Sequence, residues 1–533
     1  MILFSRSTTT FRLSTNTRTK LLQSAYNRYR YPLPTFHHHQ QIHNSNSRSY
    51  SMMSLQDDTV KTGHVAQQPE LIQHFTQKQT QSPQQEKQQN DSTTITPSTT
   101  TKTIPPNITA GRQLYTSLSS PTKILAPMVD ASELAWRIIS RKYGAELAYT
   151  PMIHSRLFTT DPKYRLQHFG PQDGQPNLDR PLIVQFCAND PEVLVEAAKY
   201  VVGRCDAVDI NLGCPQGIAR KGHYGAFLMD EWELVGKLIR AVRDNVPEVP
   251  ITAKIRVFDD WEKSLEYARM CLDSGAQFLC VHGRTRDMKG QKTGFANWKL
   301  VRYLRENLPQ GTVFISNGNI LYPDDVQRCL SEVGCDAVMS AEGNLCNPGV
   351  FWDKTDDVEK QFPRVDVFTR EYFEVAKLCE GGESKRCFKG HLFKALKTFF
   401  EHFGDIRKDL GKINRNATWD EIENIVIMIE DAVKEIYQKD DIEELDVVKV
   451  GELEEWGGRY RDVPYWRLQP YFRKVDGVDG KDVIKVAMKD VKEKNLVQEQ
   501  ENKGKDGKEI VGGKRKADDD GIGAEGATKK VAV

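Results

Sequence analysis

The stretch Asp209-Ile210-Asn211-Leu212-Gly213-Cys214-Pro215-Gln216 sets a thiol just past the end of an apolar run. A thiol so placed can act as nucleophile or general acid. A buried structural cysteine is the plain alternative. Pro215 stops the run from continuing. Six other apolar runs also end in polar or glycine-rich groups. They are Ala126-Pro127-Met128-Val129-Asp130, Gln185, Lys254 with Arg256, His282-Gly283-Arg284-Thr285, Ser316-Asn317-Gly318-Asn319 and Ser340-Ala341-Glu342-Gly343. Gln185 and Asn211 offer donors and acceptors to a heterocycle edge, or could satisfy backbone groups. Lys254 could place positive charge beneath an anionic ring system, or snorkel from its strand end. Glycine-containing turns let bare N–H groups approach phosphate oxygens. Any one of these has a structural explanation; seven at successive run ends are hard to explain as core.

The runs themselves are Ile124–Val129, Leu147–Ile153, Leu182–Cys187, Ala207–Leu212, Ile251–Val257, Phe278–His282, Val313–Asn317 and Ala337–Ser340. Between them lie amphipathic stretches such as Ser132–Tyr143, Pro191–Val202, Glu231–Asn245, Lys263–Ser274, Trp298–Asn307 and Pro323–Val333. Apolar strands alternating with helices imply a parallel sheet covered on both faces. Eight such units fit an α/β fold of the (β/α)8 TIM-barrel type, whose strand ends carry the chemistry. No G-x-G-x-x-G follows the first strand, which disfavours a dinucleotide-binding fold.

The expected organisation has five parts: 1–56, 57–115, the barrel over 116–362, a C-terminal helical domain with a packing segment over 363–474, and 475–533. Residues 1–56 hold seven arginines and lysines and no acidic residue, as in a mitochondrial transit peptide or an unaddressed basic leader. Met52 and Met53 offer a second start. The Gln/Thr-rich segment 57–115 and the charged tail 475–533 are expected to be disordered extensions. Lys514-Arg515-Lys516 is a weak nuclear-import signal. Net charge is only +1 across 533 residues, so nucleic-acid binding requires a local basic surface. Ten cysteines without a CxxC pair argue against a zinc site or disulfide framework, so no metal is expected. The sequence lacks an 18-residue apolar run, so no membrane span is expected.

Beyond Phe351, Phe388, Leu392, Leu396, Phe399 and Phe403 share one face of an expected helix, flanked by Arg386, Lys394 and Lys397. The flank is either a solvated face or, with Lys389, a grip on a phosphate backbone. Trp419–Tyr437 reads as a second helix, and Val463–Lys474 as an aromatic, basic segment that packs back on a folded domain.

Ala126-Pro-Met128, Asn211-Leu-Gly-Cys-Pro-Gln216, Ala253-Lys-Ile-Arg256, His282-Gly-Arg-Thr285 and Ser316-Asn-Gly-Asn319 together resemble the tRNA-dihydrouridine synthases. Gly217-Ile-Ala-Arg-Lys-Gly222, Tyr224-Gly-Ala-Phe-Leu228, Lys289-Gly290 and Ser340-Ala-Glu-Gly-Asn344 resemble the eukaryotic branch acting on positions 16 and 17 of the D-loop. The resemblance spans residues about 120–470 and implies FMN at the barrel mouth, with NADPH or NADH as electron donor. It implies flavin contacts from Pro127, Met128, Val129, Gln185, Asn211, Lys254 and His282. The phosphate end would fall to Asn317, Gly318, Asn319, Ala341 and Glu342. Hydride would reach uracil C6 from the flavin and a proton would reach C5 from Cys214. Arg256, Arg284, Lys389, Lys394 and Lys397 would contact tRNA, with the chain expected to act as a monomer in cytoplasm or nucleus, with a possible mitochondrial form. Many bacterial members carry Gly-Arg where Ala341-Glu342 stands, so another group must anchor the phosphate. An FMN barrel acting on a free small molecule, like dihydroorotate dehydrogenase, is the alternative; it leaves the basic helical domain unexplained.

Overall fold

A computed structural model describes residues 105–290, 293–379, 381–450 and 461–471. The leader, most of the Gln/Thr-rich segment and the charged tail lie outside the described residues. Nine parallel strands build the barrel: β1 (Lys123–Leu125), β2 (Leu147–Tyr149), β3 (Ile153–His154), β4 (Leu182–Cys187), β5 (Ala207–Leu212), β6 (Ile251–Arg256), β7 (Phe278–His282), β8 (Val313–Asn317) and β9 (Ala337–Ser340). The ring closes because β1 pairs with both β2 and β9, and β2 with β4. β3 continues the second position along β4, in the register Ile153↔Phe186 and His154↔Cys187. The second strand, expected as one run, is therefore two pieces. Pro151 lies between them and has no N–H to donate to a ladder.

Strands β4, β5 and β6 are buried at every position, which is why they are largely apolar, and Gln185, Asp209, Asn211, Thr252, Lys254 and Arg256 are the buried polar exceptions. Ile124, Tyr149, Ile183, Phe278, Ile315 and Met339 fill the barrel interior. The opposite strand faces pack on α2 (Leu134–Lys142), α3 (Pro191–Lys199), α4 (Trp232–Asn245), α5 (Trp261–Asp273), α6 (Trp298–Asn307) and α7 (Pro323–Val333). Side chains of Asp190, Asp260 and Asn297 accept from free backbone N–H groups at the starts of α3, α5 and α6, fixing where those helices begin.

A preceding helix, α1 (Pro106–Ser117), corrects the expectation of disorder up to residue 115. It seals the N-terminal end of the barrel. Ile108 and Tyr115 are buried, and the Tyr115 hydroxyl donates to the Asp336 carbonyl at 2.9 Å. Arg112 pairs with Asp336 at 2.6 Å and donates to the carbonyls of Gly311 and Thr312. At Gly111 a Cβ would lie 2.3 Å from the Gln277 carbonyl oxygen, so only glycine permits this approach. The buried positions Ile108, Gly111 and Tyr115 keep helical spacing, but one is a glycine and most of the rest of the helix is polar, so the face is faint in the sequence.

The helical region comprises α8 (Val365–Leu378), α9 (Glu383–Ala395), α10 (Gly404–Lys412) and α11 (Trp419–Ile436). The single helix expected over Phe388–Phe403 ends at Ala395, and a short turn of helix follows at Phe399–His402. Phe388, Leu392, Leu396 and Phe399 are all buried nonetheless. Apolar spacing reports burial and is blind to such a break. α11 starts at a capping box in which Thr418 and Glu421 satisfy each other's backbone N–H groups. Trp466 and Leu468 are buried, and their backbone bonds to Val365 and Pro363 return the 461–471 segment onto the start of the helical region. No helix among the described residues is long and apolar enough to cross a membrane.

Candidate active site

Cys214 stands at the barrel mouth on a turn held from several sides. The Asn211 side-chain oxygen accepts from the N–H of Cys214 at 2.9 Å and of Gly213 at 3.2 Å. Arg256 Nε donates to the Gly213 carbonyl at 2.7 Å and Lys289 Nζ to the Pro215 carbonyl at 2.9 Å. Ala226 N–H donates to the Cys214 carbonyl at 3.0 Å. The thiol is half-buried, against a small cluster of Cys187, Ala219 and Tyr224. All ten cysteines are free, and Cys214 alone among them is not buried.

Below this turn runs a chain of polar bonds. Asn211 Nδ2 donates to Gln185 Oε1 at 2.8 Å, Gln185 Nε2 to Asp209 at 2.8 Å, and Thr252 Oγ1 to Asp209 at 2.6 Å. Asp209 is wholly buried, and desolvation pushes its carboxyl up to about 6 despite those donors. Asn211 is thus engaged at both ends of its amide. Its side chain braces the cysteine turn. Gln185 is fully buried, its amide likewise shared between Asn211 and Asp209.

Three cations crowd the same mouth. Lys254, 8 % exposed, donates to Asn317 Oδ1 at 2.9 Å. Arg256 also reaches the carbonyls of Thr285 and Met288. Arg284 reaches the carbonyls of Thr293 and Gly294 and, at 3.1 Å, Asn319 Oδ1. Among the described residues none of the three meets a carboxylate at ion-pair distance. Desolvation without a paired anion lowers Lys254 and brings each arginine down to about 10. Arg284 Nη1 sits 2.9 Å from His282 Nε2. A guanidinium only donates, so Nε2 accepts and the ring proton belongs on Nδ1. Burial, with Arg284, Lys254 and Arg256 nearby, holds His282 far below its ordinary range and hence neutral. The site sets three cations without an ion-pair partner among the described residues beside a thiol, the complement of an anionic ligand.

The loops around it come from β1, β8 and β9. Pro127 and Met128 are half-buried, Val129 is exposed, and Ser132 Oγ accepts from the Met128 N–H at 3.0 Å. Gly318 has φ +115, and a Cβ there would lie 2.6 Å from Ala296. Asn319, also at positive φ, is held by the Ala296 backbone at 2.9 and 2.8 Å. Ala341 precedes the single turn of helix Glu342–Cys346, where the Glu342 side chain is exposed. First-turn N–H groups have no intrahelical partner and suit an anion. The Glu342 carboxylate does not.

Sequence reasoning missed the junction with the helical region. Glu133 is buried just after the β1 loop and accepts from the Tyr372 hydroxyl at 2.8 Å and His391 Nε2 at 3.0 Å. Burial disfavours its charge, but His391 and Tyr372 outweigh that and hold it below the usual carboxylate range. His391 stacks on Trp136 at 4.0 Å, and the Trp136 indole donates to Asn344, behind Ala341-Glu342, at 2.9 Å. Loops from β1 and β9 are thereby tied to α8 and α9. These residues lie over 200 positions apart in pairs such as Trp136 and Asn344, so no spacing could expose them. His154, at the end of β3, was also missed; its ring meets Tyr224 edge-on at 5.6 Å.

The basic flank divides. Arg386 is an internal brace, paired with Asp130 at 2.6 Å and with Glu383. Lys389 donates to the carbonyls of Gly411 at 2.6 Å and Ile413 at 2.8 Å, capping α10. Lys397 lies 3.9 Å from Glu401 and over the Tyr471 ring. Lys394 is exposed.

The family described as dihydrouridine synthase matches residues 124–444. A Saccharomyces cerevisiae protein named tRNA-dihydrouridine(16/17) synthase, NAD(P)(+), is 59 % identical over 373 residues, covering 69 % of this chain and 88 % of that one. The Schizosaccharomyces pombe protein of the same name is 43 % identical over 369 residues, covering 69 % of this chain and 91 % of its own. A Mus musculus protein, tRNA-dihydrouridine(20a/20b) synthase-like, is 37 % identical over 231 residues, covering 43 % and 68 %. With the family match spanning more than half the chain, and with the barrel, the thiol turn and the strand-end cations in place, this chain belongs to the dihydrouridine synthase family.

Proposed function

We propose that this chain is a tRNA-dihydrouridine synthase that uses NADPH or NADH and FMN to reduce the uracil C5=C6 bond at positions 16 and 17 of the tRNA D-loop. The observation that carries the chemistry is the trio Lys254, Arg256 and Arg284, desolvated without a carboxylate partner around the Cys214 turn. The donor set fits FMN: cations at the ends of β6 and β7 suit an anionic ring system, and the Gly318 and Ala341 turns suit a phosphate. Bound FMN, once reduced, supplies the hydride for uracil C6. Conjugation to the C4 carbonyl makes C5 carbanion-like, and Cys214 Sγ–H gives C5 its proton as general acid. Asn211 and Arg256 fix the backbone that aims this thiol. Neutral His282 presents a donor on Nδ1 without adding charge. Arg284, joined to Asn319, is the cation that serves the phosphate end in place of an arginine at position 342.

Family membership sets aside the free small-molecule reading. The chain works as a monomer, with Lys394 and Lys397 on the tRNA side of α9 and the turn beyond it. It acts in cytoplasm or nucleus, with a mitochondrial form carrying residues 1–56; a reporter bearing that leader tests the address. The function is tested with full-length protein and tRNA lacking dihydrouridine. NADPH should drive formation of dihydrouridine at positions 16 and 17, mapped by chemical cleavage. Product at other positions, or none with FMN supplied, overturns the reading.

A further inference from the structure

Four residues past Cys214, the six-residue helix Gly217–Gly222 carries Ile218 with 70 % of its surface exposed. Single exposed aliphatics are ordinary, so exposure alone decides nothing. The mount and the neighbours do. Ala219 is fully buried beside Cys187 and Tyr224, which anchors the inner side of this helix. Its N-terminal approach is pinned by the bonds of Asn211, Arg256 and Lys289 to residues 213–215. At its far end Gly222 packs so closely that a Cβ would fall 2.3 Å from the Tyr224 ring. Gln216, Gly217, Arg220 and Lys221 are exposed, and a Cβ on Gly217 would meet nothing within 4 Å. Neither Arg220 nor Lys221 makes an ion pair among the described residues. A rigid apolar post with two uncompensated cations therefore stands at the rim of the thiol site.

We propose that Ile218 packs against the nucleobase flanking the target uridine, while Arg220 and Lys221 hold the adjoining phosphates. The inference rests on the reading that tRNA is the substrate. Lys254 lies 8 % exposed at the floor of the mouth, so the reacting base must leave its neighbours to reach it. The base left behind exposes an apolar face exactly one nucleotide from the site, and unstacked RNA bases are bound by apolar packing plus backbone charge. An acidic protein partner would meet the same cations but has no need of a rigid apolar post beside the thiol.

The test places a photo-crosslinking benzoylphenylalanine at position 218 of the full-length flavoprotein and irradiates it with unmodified tRNA. Crosslinks should stop reverse transcription within the D-loop, next to the target. Crosslinks mapping elsewhere on the tRNA, or none, overturn the proposal. In parallel, Ile218→Ala should lower kcat/KM for tRNA roughly tenfold, and Ile218→Leu should restore it. Arg220→Glu with Lys221→Glu should weaken tRNA binding more at low salt than at high salt. An Ile218→Ala enzyme with unchanged kcat/KM also overturns it. Bleaching of the flavin by NADPH, read on the same samples, reports the nicotinamide half-reaction. A wild-type enzyme that bleaches yet never reacts with tRNA would instead sink the substrate reading.

Discussion

Lys254→Met separates a cation kept for ligand binding from one kept for folding. Lys254 is buried at the end of β6, and its one hydrogen-bond partner among the described residues is Asn317 Oδ1 at 2.9 Å. Losing that charged bond costs about 1.5–3 kcal/mol. Burying an ammonium without a counter-ion costs several kcal/mol even after relaxation. Methionine has a similar stem and no charge, and Asn317 keeps its bond to the Met339 carbonyl. Relief should therefore exceed loss by about 1–2 kcal/mol, raising the Tm of flavin-free protein by about 2–4 °C for each kcal/mol. The pH sense follows from the lowered pKa. Below its folded value Lys254 is charged in both states and the full penalty applies; as pH rises toward the unfolded value the penalty fades. The gain from methionine should shrink accordingly in alkaline buffer. Added FMN should stabilise wild type and fail to stabilise the variant. Differential scanning fluorimetry with and without FMN, between pH 7 and 10, reads all of this. A variant that melts several degrees lower without flavin, or still retains flavin, would refute the assignment of Lys254 as a ligand cation.

Glu133→Gln should cost about 2–4 kcal/mol at pH 7 by breaking the buried pair with His391. Because the folded pKa of Glu133 is depressed, its contribution is present above the ordinary value of 4.5 and lost as pH falls below it. The Tm difference between variant and wild type should therefore hold from pH 7 to about 5 and narrow only as the pH falls below 4.5. Asn211→Ala strands the N–H groups of Gly213 and Cys214 and the Gln185 oxygen, for about 2–4 kcal/mol in urea unfolding. Turnover on tRNA should drop at least about tenfold while NADPH still bleaches the flavin, since the thiol loses its aim. Charge reversal at Lys394 and Lys397 should weaken tRNA binding and flatten its salt dependence; unchanged affinity in filter binding would return both to a solvated face.

Much of the barrel was legible because parallel strands covered on both faces are rich in apolar residues, as β4, β5 and β6 are outside Gln185, Asp209, Asn211, Thr252, Lys254 and Arg256. Local punctuation was less readable. Pro151 splits one barrel position into β2 and β3, and α9 stops at Ala395 although buried residues continue past it. α1 was missed because its inward face, Ile108, Gly111 and Tyr115, is short and includes a glycine, and much of its docking is through polar bonds of Asn107, Arg112 and Tyr115. At the site, residue types announced a thiol with cations, but their division of labour needed coordinates. Asn211 turned out to brace the cysteine turn, Lys389 to cap α10, and Arg386 to pair with Asp130. The Glu133–His391–Trp136 junction joins segments far apart in the chain, and only the fold brings them together.

The central claim is that Cys214 protonates C5 of the reduced uracil. Full-length wild type and Cys214→Ala are bleached with NADPH without oxygen, freed of excess nucleotide, and mixed rapidly with tRNA lacking dihydrouridine. Wild type should regain its flavin absorbance as dihydrouridine forms, and Cys214→Ala should stay bleached for at least roughly a hundred times longer. Reoxidation of Cys214→Ala by tRNA at the wild-type rate would contradict the account.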